Sequence, residues 1–166
     1  GGAPWILPDA RDSKKFSQEV RFSTSINENL DLLAGLFYTR EDSAFIQSIF
    51  AVDPITGARE SLIFDTSFDL EFKELAAFAN VTVKVSEEFD IQLGLRQSKI
   101  EQSTIQTTNA VTDPELTAEA KPLTYLLTPR LILSDELMIY ARFASGYRPG
   151  GPNQNASLDF VDPQYS

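Results

Sequence analysis

Six stretches of this chain alternate between apolar and polar residues, and one parity of all six carries no charge. They are Phe16–Ser23, Leu30–Thr39, Leu75–Val85, Phe89–Arg96, Leu123–Leu133 and Leu137–Ala144. In the fourth, for example, Phe89, Ile91, Leu93 and Leu95 alternate with Asp90, Gln92, Gly94 and Arg96. The charged residues inside these windows are Glu19, Arg21, Asp31, Lys84, Asp90, Arg96, Arg130 and Arg142, and every one falls on the less apolar parity. A period of two with one apolar side is the pattern of a β-strand, because successive side chains point to opposite faces of a sheet.

The connections alternate in length. Residues 24–29, 86–88 and 134–136 are short and polar, whereas 40–71, 97–122 and 148–166 are long. This predicts an all-β fold, an antiparallel up-and-down meander of about six strands with tight turns at one end. Within 40–71, "AFIQSIFAV" and "ESLIFDTSF" flank "DPITG", where Pro54 fixes φ and Gly57 accepts positive φ. The flanking strands are therefore expected to continue into a hairpin. By contrast "TTNAVTDPELTAEAKP", rich in Thr and acids, reads as a mobile loop. The last strand runs into "YRPGGPN", where Pro149 cannot donate to a ladder and Gly150–Gly151 frees the backbone to turn away.

An uncharged sheet face has two solutions. A soluble sandwich buries it against a second sheet. A membrane barrel turns it toward lipid. No apolar run approaches the roughly 20 residues of a membrane helix, so a bilayer would be crossed by strands. Three features favour the barrel: the short-turn, long-loop asymmetry; the small residues Gly35, Ala76, Gly94 and Ala144 on the polar parity; and Phe37, Tyr38, Phe143 and Tyr147 near the long-loop ends, as an interfacial girdle requires. The sandwich remains the alternative on these grounds.

Three segments carry a resemblance to a known family. "KKFSQEVRFSTSINENLDLLAGLFYTRED", "LAAFANVTVKVSEEFDIQLGLRQSKIE" and "LTPRLILSDELMIYARFASGYRPGGPN" resemble, in order, successive hairpins of TonB-dependent outer-membrane receptors. The resemblance implies part of a 22-stranded transmembrane β-barrel in the outer membrane of a Gram-negative bacterium. Residues 1–166 would be a barrel segment without the plug domain. The whole receptor would take up a scarce nutrient such as a ferric siderophore. Its partners would be outer-membrane lipid, its own plug, the small-molecule ligand, and the TonB complex through the plug. Other readings are a soluble β-sandwich binding or adhesion module and a passive porin.

The chemistry of the side chains is sparse. The net charge is −10 and no basic block occurs, which argues against nucleic acid. With no His, no Cys and no Gly-rich phosphate loop, no catalytic residue, metal site or cofactor is expected. Arg21, Arg96, Arg130 and Arg142 share the lumen parity. They pair with Glu19, Asp31 and Asp90 on neighbouring strands, or they meet an anionic ligand or the plug. The candidate ligand contacts are Arg96, Arg130, Tyr140, Arg142, Tyr147 and Arg148.

Overall fold

The structure, a computed structural model, describes residues 4–152 and 164–165. Its strands are β1 (Trp5–Ile6), β2 (Asp9–Asn27), β3 (Leu30–Val52), β4 (Arg59–Lys84), β5 (Phe89–Thr108), β6 (Val111–Thr112), β7 (Leu116–Ala120), β8 (Leu123–Ser134), β9 (Leu137–Tyr140), β10 (Phe143–Ala144), β11 (Gly151–Pro152) and β12 (Gln164–Tyr165). β1 and β2 pair with one edge of β3, followed by β4 and β5. The far edge of β5 takes β6, β7 and β8, and β9 and β10 close the sheet on β8. All pairings are antiparallel. β11 and β12 form a separate small ribbon.

Residues 40–52 and 59–71 are strand, as the flanking apolar runs predict. β3 and β4 stay in register from Leu30↔Val83 to Ile49↔Phe64, with shifts only near the tip. The tip itself is an Asp-capped turn. Asp53 Oδ1 accepts the Thr56 and Ile55 N–H groups at 2.7 and 2.8 Å, and Gly57 takes φ 70°. Those two donors, Thr56 first, hold the Asp53 carboxyl below its ordinary pKa.

Three expectations are corrected. Residues 97–122 are not a loop: β5 continues to Thr108, turns through Asn109 and Ala110 at positive φ, and the chain pairs back along it as β6 and β7. The Thr-rich segment is strand-forming because alternate residues dock on β5, which polarity alone does not reveal. The last strand is interrupted at Ala141–Arg142. There Ala141 N–H donates to the Pro129 carbonyl, and Pro129 has no N–H to return the bond. Finally, no second sheet covers the apolar parity among the described residues, so the sandwich does not form. Leu36, Leu95 and Ile139 are 60%, 57% and 56% exposed. Part of the connection 148–166 lies outside the described residues.

The two faces differ in crowding. Along β5, Gly94, Ser98, Ile100 and Thr104 are buried, while Leu93, Leu95, Lys99 and Glu101 between them are exposed. Ala76 on β4, Thr39 on β3 and Thr128 on β8 are buried on the same crowded face. Side chains crowd on the inside of a curved wall. Two glycines make room there. A Cβ on Gly35 would lie 2.5 Å from Phe78 Cζ and 2.7 Å from the Val20 carbonyl oxygen. A Cβ on Gly94 would collide with the Asn80 amide oxygen and meet Leu126 Cβ at 3.2 Å. Large cross-strand neighbours thus lean over each glycine. Gly35→Ala should cost about 1–3 kcal/mol by overpacking against backbone. Gly146→Ala, with open space around it, should cost far less. Denaturant titration of the intact protein in lipid checks this, and equal costs would disprove the crowding.

A candidate ligand-facing wall

The crowded face carries three levels of polar side chains. Nearest the short turns, Arg130 donates from Nε and Nη2 to both oxygens of Asp90, at 2.6 and 2.9 Å. Asp90, Arg130 and Tyr140 stand directly across β5, β8 and β9. Lys84 and Asp31 pair on the same face at 3.0 Å.

Six residues along β5 lies Arg96. Its Nη2 donates to Glu74 Oε1 at 2.8 Å, and the Ser98 hydroxyl donates to the same oxygen at 2.8 Å. The guanidinium also sits over the rings of Phe37, at 5.0 Å, and Phe78, at 6.0 Å. This packing explains a carboxylate only 17% exposed: it is satisfied by a planar cation with apolar sides. Arg21 pairs with Glu19 nearby. Glu19, Arg21, Phe78 and Arg96 border, with Gly94 and Leu126, an open trough of about 400 Å³.

The third level was missed in the sequence. Beyond the predicted windows, Phe45 of β3 stacks on Phe68 of β4, with ring centroids 6.1 Å apart and planes at 17°. Arg11 of β2 lies 4.8 Å over Phe45. Register sets this up, because Arg11 opposes Phe45 and Phe45 opposes Phe68. With Ser13, Ser43 and Leu70 they border a second open trough of about 480 Å³. The signal available in sequence was the parity of β3 carried past Thr39.

The six candidate residues therefore do not form one site. Arg130 and Tyr140 lie near the short turns, and Arg96 lies mid-wall. Arg142, also of the crowded-face parity, is exposed on the interrupted edge strand and makes no ion pair with a described residue. Tyr147 and Arg148 are exposed past β10 at the long-loop end. The chain then folds inward, where Gln102 Nε2 of β5 donates to the Gly150 carbonyl at 2.6 Å. Phe37 is not part of a girdle, since it packs under Arg96 on the inner parity. Tyr38 does face outward, 6.4 Å from Phe16.

The outer face has a definite band. Its uncharged stretches span 16–26 of β2, 30–38 of β3, 75–85 at the end of β4 and one residue past it, 89–97 of β5 and 123–133 of β8. Each is nine or eleven residues long, which matches the roughly 9–11 residues of a membrane-crossing strand. β3 to β5 continue well past it.

Comparison with known proteins agrees with this architecture. Residues 5–165 match the model of the TonB dependent receptor-like β-barrel family, and the chain belongs to that family. Its fold resembles the crystal structure of the ferric yersiniabactin uptake receptor FyuA from Yersinia pestis. The TM-score is 0.76 at 22% identity, covering 92% of this chain and 24% of that one. The chain thus spans about a quarter of that receptor's length. No curated protein matches the sequence. The crowded face is the inner, lumenal side of a barrel wall, and the uncharged face is the outer one.

Removing one partner of the mid-wall pair tests its satisfaction. Arg96→Met should destabilise by about 1–3 kcal/mol, because Glu74 loses its cation in a mostly buried setting. Arg96→Met with Glu74→Gln should recover part of that loss. Additive losses in a double-mutant cycle would show that the two are not coupled.

Proposed function

We propose that this chain supplies wall and external strand ends to an outer-membrane receptor for active uptake of a scarce nutrient such as a ferric siderophore. The observation that carries the reading is the Arg11–Phe45–Phe68 stack on the inner face, roughly 20 Å along β3 beyond Tyr38, on the long-loop side of the band. A cation over stacked rings suits a planar aromatic ligand with anionic groups. The family match and the uptake role of the similar Yersinia receptor support the same assignment.

In this reading 22 strands close the barrel, residues 1–166 belong wholly to the barrel domain, and the plug fills the lumen. Arg96, Arg130 and Tyr140 face the plug, and Arg130 and Arg96 are held ready by Asp90 and Glu74. Arg142, level with Gln92, also faces the plug, and Tyr147 and Arg148 meet ligand or plug nearer the mouth. The work is binding and passage, with no bond-making step, and energy arrives from the TonB complex through the plug.

The intact receptor tests the proposal. Phe45→Ala combined with Arg11→Gln should weaken ferric-siderophore binding about 10-fold, from the loss of a ring stack and a cation–π contact. The amount of protein at the cell surface should not change. Binding unchanged across a panel of aromatic ferric chelates would refute the aromatic site. Uptake persisting without TonB would replace active transport with passive passage.

A further inference from the structure

On the long-loop side the inner wall changes character across its width. Four successive rows run there from β2 to β5, the outermost being Asp9–Gln47–Thr66–Thr108 and the innermost Lys15–Glu41–Phe72–Gln102. Every charge in the four rows stands on β2 or β3, and Glu41 is taken by Lys15 at 3.3 Å. The β4 and β5 half carries none. The inward residues that β7 adds beside it, Leu116, Ala118 and Ala120, carry none either. Composition does not explain this, because the outward parity of the same stretches holds Asp69, Glu71, Lys99, Glu101 and Glu119. The neutral half presents amides, hydroxyls and rings instead.

Gln106 is the pre-set polar group of that half. It ends the row that starts at Arg11 and runs through Phe45 and Phe68. Its Nε2 donates to Thr108 Oγ1 at 3.2 Å, and Thr108 Oγ1 shares a hydrogen bond of 3.2 Å with Thr66 Oγ1. Thr66 is buried, so a fixed hydroxyl anchors a half-buried amide through a second hydroxyl. The other N–H and the carbonyl oxygen of that amide have no partner among the described residues. We propose that Gln106 determines specificity by hydrogen-bonding an uncharged amide or hydroxyl group of the ligand, while Arg11 takes the anionic part. The idea rests on the reading of the Phe45–Phe68 stack as the ligand site. An anion over β4 and β5 would give up water and meet no cation, whereas a neutral carbonyl or hydroxyl is matched by the free amide. Three strand spacings of about 4.8 Å set the Arg11 and Gln106 backbones about 14 Å apart. The ligand class is therefore an aromatic anion with a neutral hydrogen-bonding arm, wide enough to cross both rings.

The test measures binding of two probes to the intact receptor: the ferric tris complexes of N-methyl-2,3-dihydroxybenzamide and of catechol. Excess chelator keeps both as tris complexes of equal charge, and they differ by the amide arm. The wild type should bind the amide-bearing complex about 5-fold more tightly, the worth of one neutral hydrogen bond. Gln106→Leu should erase that preference and leave binding of the catechol complex within about twofold. Gln106→Asn, whose amide is too short to reach, should erase it as well and serves if the leucine variant does not reach the cell surface. Arg11→Gln should weaken both probes alike and keep the preference. A preference that survives both Gln106 variants overturns the assignment of Gln106. Equal binding of the two probes by the wild type overturns the neutral subsite while the aromatic site stands. Binding of neither probe by the wild type sinks the aromatic-anion reading itself, and the subsite with it.

Discussion

The continuous ladder between β3, β4 and β5 is the interaction on which everything else depends. In hydrocarbon there is no water to satisfy a backbone N–H or C=O, and each one left unpaired costs several kcal/mol. A wall segment must therefore hold register along its full height. β3 and β4 do so over twenty successive pairs before the first shift, and β4 and β5 do so from Lys84↔Asp90 to Thr66↔Thr108. Register fixes parity, since a slip of one residue would send every side chain to the other face. Parity in turn delivers Leu93 and Leu95 to the outside and Gly94 and Arg96 to the inside. The same rigid alternation, carried past the band, sets Arg11, Phe45 and Phe68 in one row.

The inner wall shows how charge is kept on the crowded side. Arg130 is held by both oxygens of Asp90, and Arg96 by Glu74 with two aromatic rings against it. Such pairs are costly to break one-sidedly, because each carboxylate is largely shielded from solvent. Small residues then keep the face shallow: Gly35 under Phe78 and Gly94 under Asn80 leave no space for even a methyl group. The outer wall divides its charge differently. It has none in the band and charges of both signs beyond it.

Much of this was legible because period-two alternation is local. The short turns, the uncharged face and the pairing of Arg130 with Asp90 on the neighbouring strand all follow from parity, whereas Arg21 takes Glu19 of its own strand and Asp31 goes to Lys84. What was not legible depends on distant register. Glu74 lies outside the alternating windows, yet β4 places it beside Arg96. Phe37 sits at the end of its window, where it can be assigned to a girdle, but its odd parity sends it inward. The segment 109–122 is polar and rich in Thr, and only docking against β5 makes it strand. The break at Ala141 follows from a missing N–H on Pro129, one strand away. The aromatic stack was hidden for a simpler reason: the strands run past the point where apolar alternation fades into charge.

The central claim is that the odd-numbered side chains of β5 from Phe89 to Gln97 meet lipid while the even-numbered ones face the lumen. Nitroxide labels placed singly at successive positions 89–101 of the intact receptor in a bilayer measure this directly. Oxygen, which concentrates in hydrocarbon, should broaden labels at 89, 91, 93 and 95 most, with the effect ending by position 99. A water-soluble nickel chelate should favour the even positions and everything beyond Lys99. Oxygen accessibility that lacks a period of two, or that peaks at Gln92, Gly94 and Arg96, would contradict the assignment of the wall's two faces.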